Sequence, residues 1–194
     1  MKVLDRLEEG IIAFLMGAAT LVIFAAVLHR YAAGLRIPRL QERLLALNFS
    51  WAQELCIFMF VWMCKFGAAY GVRTGIHVGV DVLVNRLPPR WREKGLLVSL
   101  AGGVLFTGVI GALGARFVWE GGLHYALASA LGLDAEGLTP GATTPDLGWP
   151  TWIVYSAVPL GSFLMCFRFL QVTWKFAREG KLPKRVHARV EGLE

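Results

Sequence analysis

The sequence contains few residues of the kinds that build soluble catalytic or metal sites. Only three of its 194 residues are cysteines, Cys56, Cys64 and Cys166, and each lies inside an apolar run without metal-ligand spacing. Phosphate-binding glycine loops, zinc signatures and nucleophile elbows are absent, and the glycines cluster in apolar segments. We therefore predict no catalytic, cofactor-binding or metal-binding residue in this chain, and no enzymatic activity.

Charged residues are also scarce, at 18%, whereas 56% of the residues are hydrophobic and gather into long runs. Runs of about 20 apolar residues are long enough to cross a bilayer as helices. The sequence therefore predicts an all-α integral membrane protein with four transmembrane helices in one membrane domain, residues 1–194. The predicted spans are 10–28, 52–72, 95–115 and 150–168, followed by a basic tail at 169–194.

The net charge of +6 could indicate a nucleic acid partner, but the basic residues border the hydrophobic runs and form no separate domain. Membrane topology explains them better, so we predict contact with membrane lipids and none with nucleic acid. Of the 20 Lys and Arg, 14 fall on one side of the spans, 5 on the other and one inside a span. The positive-inside rule then predicts that both termini are cytoplasmic. Two connections, 31–50 and 116–148, would then lie outside. The first is interpreted either as a plain loop or as containing a short interfacial helix. The second is interpreted as an exposed loop that could contain a short helix.

The second span carries charges at unusual places, Glu54 at one end and Lys65 in the interior. They lie 11 residues apart, on nearly one helix face but ~16 Å apart along the axis, so they cannot neutralise each other. Trp51 and Phe58 fall broadly on the same face, which we interpret as a surface that docks on another protein. Alternatively, Glu54 is an interfacial cap in water and Lys65 snorkels toward the cytoplasm. A lipid-facing lysine at this depth costs a few kcal/mol, which favours a partner.

Four further candidates have structural interpretations. His77 and Asp81 are four residues apart, which permits a proton relay, although one such pair more often fixes a turn. Trp62 and Trp152 are explained by packing and interfacial anchoring.

Small residues recur in steps of four along the third span, a spacing that lets two helix backbones approach closely. The sequence therefore predicts a helix-packing seam, either within this chain or with another subunit. Its members are Ser99, Gly103, Thr107, Gly111 and Ala115.

Two other function classes remain as alternatives. Facing histidines on membrane helices can ligate haem, and His29 and His124 would lie on the same outer side, but His124 falls outside a span. A haem-binding membrane anchor of an oxidoreductase is therefore the less favoured alternative. An independent channel or carrier is also disfavoured, because the sequence has no internal repeat and no polar midplane segment.

Two stretches together resemble a known family. The run WAQELCIFMFVWMCKFGAAYGVRTGIHVGVD, Trp51 to Asp81, has an aromatic and acidic entry, a Phe-Val-Trp centre and a His-x-x-x-Asp exit. The run DLGWPTWIVYSAVPLGSFLMCFRFLQ extends from Asp146 to Gln171. Both resemble the small membrane subunit of TRAP transporters, the DctQ-like family, and look most like its C4-dicarboxylate members.

The resemblance implies a subunit of a bacterial inner-membrane complex. A periplasmic binding protein would capture an organic acid and dock transiently, and a large membrane subunit would carry the acid inward with sodium, which would bind in that subunit. The small subunit would brace the large one. The motif positions Trp51, Glu54, Trp62, His77 and Asp81 are then expected to hold the fold and scaffold contacts.

Overall fold

The computed structural model describes residues 2–35, 38–74, 88–134 and 137–179. Four long helices account for most of them, and three short helices lie between the long ones. Within the described ranges there is no strand, only an isolated antiparallel bridge between Thr143 and Pro150. The predicted all-α fold is confirmed. The long helices are α1 (Lys2–Ala33), α3 (Ser50–Thr74), α4 (Pro89–Val118) and α7 (Ala157–Glu179), and the short ones are α2 (Pro38–Ala46), α5 (His124–Ala130) and α6 (Thr151–Tyr155).

Four helical segments are long and apolar enough to cross a membrane, which confirms the four predicted transmembrane helices. They are Arg6–Ala33, Ser50–Thr74, Glu93–Ala130 and Thr151–Arg178. The shortest has 25 residues, and at ~1.5 Å per residue it exceeds the ~30 Å hydrocarbon core. An even number of crossings puts the start of α1 and the end of α7 on one side, here called the terminal face. The opposite side, called the loop face, holds α2, α5 and residues 137–150.

The four long helices pack in the order α1, α3, α7, α4. Helix α3 contacts both α1 and α7, and α7 also contacts α4. Helices α1 and α4 therefore stand at the two ends of a row, and each presents apolar side chains away from its neighbour. The exposed side chains include Phe14, Met16, Leu21 and Phe24 on α1 and Val98, Leu105, Phe106 and Leu113 on α4.

A small apolar core forms near the terminal face, where α3, α4 and α7 converge. Its members are the buried side chains Val72, Leu96, Leu100, Phe169 and Val172. Buried apolar area stabilises less inside a bilayer than in water, because the alternative environment is also apolar. The contacts that fix this row of helices are therefore close packing and polar pairs.

Close packing is provided by the predicted seam, which lies within the chain, between α4 and α7. A Cβ added to Gly103 would lie 2.8 Å from the Phe169 ring, and one added to Gly111 would lie 2.8 Å from the Phe163 ring. Thr107, between them in the seam, is buried and donates its hydroxyl to the Gly103 carbonyl at 2.6 Å. The seam thus joins two helices of one subunit, which resolves the alternative left open by the sequence.

The third span is longer than predicted. Helix α4 continues into a π-helical turn, Trp119–Leu123, and then into α5, so the segment predicted as a loop from residue 116 is helical as far as Ala130. The chain bends inside the π turn at Gly122, whose φ of 120° is accessible mainly to glycine. A Cβ there would lie 2.6 Å from the Pro140 carbonyl oxygen, so the glycine also lets the loop at Pro140 approach the bend closely.

The first connection contains a short helix, and the fourth span is interrupted. Residues 38–46 form the short helix α2, one of the two options for the first connection. The fourth span is broken between α6 and α7 at Ser156. Proline at 159 has no N–H for the Tyr155 carbonyl and its ring crowds that carbonyl, which explains a break three residues upstream.

Candidate functional site

Glu54 ties the start of α3 to the loop face. Its Oε2 accepts hydrogen bonds from the backbone N–H groups of Asp146, at 3.0 Å, and Leu147, at 2.7 Å. The carboxylate is partly buried, and hydrogen bonds to an ionised acceptor are stronger than neutral ones. Glu54 therefore holds the segment that leads into α6 against α3.

Aromatic rings reinforce the same end of α3. The Phe49 ring stacks on His29 of α1, with centroids 4.6 Å apart, and on Trp51, at 5.6 Å. Phe58 approaches Trp149 of the loop at 6.5 Å. These contacts connect α3 to α1 on one side and to the loop on the other, so Trp51 and Phe58 have structural roles within the chain.

Lys65 lies against α7 at the middle of the membrane segment. A Cβ added to Gly161 would be 2.5 Å from the Lys65 Cβ and 3.2 Å from its Cγ and Cδ, so the stem needs a glycine opposite it. The residue is half-buried, and its ammonium group makes no hydrogen bond or ion pair with the part of the chain that the structure describes. The aliphatic stem is thus packed inside the subunit, whereas the described part of the chain does not neutralise the ammonium group.

These contacts use part of the α3 face that the sequence interprets as a docking surface, and contact of this face with another subunit stays a prediction. The loop and α7 of the same chain occupy it at Glu54, Phe58 and Lys65. The aperiodic apolar pattern of α3 does not reveal which side faces a neighbouring helix of its own chain, so the sequence does not predict these internal contacts. Two other candidates of the same motif, His77 and Asp81, lie outside the described residues, as does the basic tail beyond residue 179.

The sequence interpretation missed a buried ion pair between α1 and α7. Arg168 donates to Glu8 Oε1 from Nε, at 3.0 Å, and from Nη2, at 2.7 Å, and both side chains are 2% exposed. Its Nη1 also donates to Gln171 Oε1 at 2.9 Å. The last predicted span ends at Arg168, whereas the structure places this residue in the middle of α7. The pair could have been suspected because Glu8, just before the first predicted span, and Arg168, at the end of the last, are expected at the same membrane face and carry opposite charges.

A second ion pair at the terminal face is more exposed. Arg73, in the last turn of α3, donates to Glu9 Oε1 at 2.7 Å, and its guanidinium stands 4.7 Å over the Tyr70 ring. The two charged side chains are 23% and 51% exposed, so the pair contributes little to stability. It nonetheless adds a contact between α1 and α3, beside the contact that Glu8 and Arg168 make between α1 and α7.

The remaining tryptophan candidates are packed locally. Trp62 stacks on Phe66 of the same helix at 5.9 Å. The Trp152 indole N–H is buried in α6 without a hydrogen-bond partner among the described residues. Packing and interfacial anchoring stay the prediction for both side chains.

Both histidines considered for haem make contacts inside the chain. The Nε2–H of His29 donates to the Leu44 carbonyl at 2.8 Å, and Nδ1 of His124 meets the Trp119 carbonyl. Within the described ranges no three His, Cys, Asp or Glu side chains are close enough to hold a metal ion. The four long apolar helices are those of a multi-pass integral membrane protein.

Comparison with known sequences identifies the class further. The sequence profile of the family described as "Tripartite ATP-independent periplasmic transporters, DctQ component" matches residues 19–179. The C4-dicarboxylate TRAP transporter small permease protein DctQ of Rhodobacter capsulatus is 47% identical over 212 residues, covering 100% of this chain and 86% of that protein. The protein of the same name from Vibrio cholerae is 35% identical over 201 residues, covering 98% and 80%.

A further relative is the isethionate TRAP transporter permease protein DctMQ of Oleidesulfovibrio alaskensis. It is 26% identical over 121 residues, which cover 62% of this chain and 16% of that protein. The chain belongs to the DctQ family: it is the small permease component of a TRAP transporter, a multi-pass inner-membrane protein and not an enzyme. A haem-binding oxidoreductase anchor is accordingly not favoured.

Proposed function

We propose that this chain is a scaffold subunit that braces the large permease of a sodium-coupled TRAP transporter for a C4-dicarboxylate. The observation that carries the proposal is how the described helices use their polar groups. Glu54, Glu8 and Arg168 all bind other parts of the same chain. A chain that uses its charges for internal bracing is suited to support a transport pathway in another subunit.

The end helices supply the surfaces for such support. Apolar side chains cover the outward sides of α1 and α4, including Phe14, Leu21, Leu105 and Phe106. In a membrane these surfaces are stable against lipid or against another transmembrane helix. The relative named DctMQ supports a large partner, because this chain aligns with only 16% of that permease.

The substrate and the orientation are part of the same proposal. Relatives that cover nearly the whole chain are named for C4-dicarboxylates, which supports that substrate class. The excess of Lys and Arg on the terminal face supports cytoplasmic termini. The loop face would then meet the periplasmic binding protein transiently, and sodium would bind in the large subunit, with no cofactor in this chain.

Reconstitution tests the proposal directly. Proteoliposomes would contain the large permease with or without this chain, together with the binding protein loaded with succinate. We expect sodium-driven succinate uptake only when this chain is present, at equal amounts of large permease in the membrane. Full uptake without this chain would overturn the scaffold role, and uptake by this chain alone would favour an independent carrier.

A further inference from the structure

A pocket of about 570 Å³ opens at the loop face between α1, α2 and the start of α3. Its deeper wall is apolar and includes Ile23, Ala26 and Val27 of α1. Its rim carries polar side chains, Arg30 of α1 and Gln53 of α3 among them. Its lining does not include Glu54, Lys65 or the residues of the ion pairs.

The rim of the pocket is fixed by the fold. His29 donates a hydrogen bond from Nε2–H to the Leu44 carbonyl at 2.8 Å, which attaches the end of α1 to α2. The Phe49 ring, which also lines the pocket, stacks on the His29 ring at 4.6 Å. Because these contacts connect all three walls, the pocket exists before any ligand enters.

The pocket is amphipathic along the membrane normal. Ile23 and Arg30 are seven residues apart on α1, which corresponds to ~10 Å of depth. Arg30 lies at the end of the apolar run, where lipid headgroups are expected, and is exposed. It makes no hydrogen bond or ion pair with a residue of the described ranges, so its guanidinium can bind an anion. An apolar wall ~10 Å long below a free guanidinium matches an acyl chain below a phosphate.

We propose that this pocket binds one phospholipid, with its phosphate on Arg30 and the upper part of an acyl chain along Ile23, Ala26 and Val27. A free phosphate ion would not use the apolar wall. An apolar transmembrane helix of the large subunit would not use the guanidinium of Arg30. A bound lipid would thus fill the gap between α1 and α3 on the loop face.

Native mass spectrometry of the purified full chain, titrated with dioleoylphosphatidylglycerol, tests this site. A guanidinium–phosphate contact is a charge-assisted hydrogen bond worth ~1.5–3 kcal/mol, so we expect Arg30→Gln to weaken binding by on the order of tenfold or more. The matched control is Arg43→Gln, an exposed arginine of α2 that does not line the pocket, and it should change binding less than about twofold. Helical circular dichroism confirms that each variant is folded.

A second pair of variants tests the acyl wall without changing charge. Ala26→Leu fills the pocket and should weaken lipid binding, whereas Ala25→Leu, one residue along and outside the pocket, should not. Dioleoylglycerol, which lacks the phosphate, should bind weakly and equally to the wild type and Arg30→Gln. Equal effects of Arg30→Gln and Arg43→Gln, or displacement of the lipid by inorganic phosphate, would overturn the proposal. Loss of the lipid on assembly with the large permease would overturn it in favour of that subunit as the occupant.

Discussion

Replacing Arg168 with methionine removes one half of the buried ion pair between α7 and α1. Glu8 would then keep a carboxylate that is 2% exposed, without the two hydrogen bonds of 3.0 and 2.7 Å that it accepts from the guanidinium. Breaking a buried pair in this way typically costs ~3–5 kcal/mol, because an uncompensated charge remains. With a shift of ~2–4 °C per kcal/mol for a chain of this size, the midpoint of unfolding should fall by on the order of 10 °C.

The assay is thermal unfolding of the purified full chain in mild detergent, followed by tryptophan fluorescence. Arg116→Met is the matched control, because Arg116 pairs with Glu120 at 2.8 Å but the two side chains are 76% and 61% exposed. An exposed pair of this kind contributes at most ~1 kcal/mol. The control should therefore shift the midpoint by no more than a few degrees.

A double variant separates the ion pair from simple packing. Glu8→Leu together with Arg168→Met replaces both charges with apolar side chains, and buried pairs replaced this way are often neutral or more stable. We expect the double variant to recover most of the stability lost by Arg168→Met alone. Equal midpoints for Arg168→Met and Arg116→Met would refute the reasoning, since the buried pair would then contribute no more than an exposed one.

Three further predictions concern α3 and the seam. Gly103→Ala should lower the unfolding midpoint, at a cost of ~1–3 kcal/mol, because its Cβ would lie 2.8 Å from Phe169. In the control Gly102→Ala the new Cβ would have nothing within 4 Å, so the midpoint should stay the same or rise through the higher helix propensity of alanine. Glu54→Ala should cost ~2 kcal/mol and speed proteolysis within residues 137–150, because two backbone N–H groups lose their acceptor; unchanged cleavage would contradict this role. Lys65→Leu should leave the unfolding midpoint nearly unchanged and reduce co-purification with the large permease, and unchanged co-purification would favour snorkelling.

The spans and the seam could be predicted because both depend on local patterns. A run of apolar residues is sufficient to predict a membrane helix, and small residues in steps of four predict a close helix contact. The seam was predicted from positions such as Gly103 and Gly111, and the structure adds their partners, Phe169 and Phe163. The partners themselves depend on which helix lies beside α4, and spacing along one helix does not contain that information.

The polar contacts could not be predicted, because they too depend on which helices lie side by side. Glu8 and Arg168 are 160 residues apart, one just before the first predicted span and the other at the end of the last. Their pairing requires that the first turns of α1 lie beside the middle of α7 and that both side chains turn inward. Glu54 depends in addition on a loop whose shape includes positive φ at Gly141 and Gly148, so its partners, two backbone N–H groups, have no signature in side-chain identity.

Two kinds of surface on this subunit can face a partner: the apolar outward sides of α1 and α4, and the position of Lys65 on α3. Apolar side chains on α1 and α4 are stable against lipid and protein alike, so they do not by themselves select a partner. Lys65 differs, because a charge that faces lipid at this depth costs a few kcal/mol, while its stem is fixed by the glycine at 161. Arg73 and the terminal face are eight residues away, ~12 Å along the helix, which limits how well the ammonium can reach water. A large subunit that brings an acceptor to this point lowers the free energy of assembly in a way that lipid does not. We therefore expect Lys65 to contribute to partner selection, even though the rest of its helix face is used within the chain.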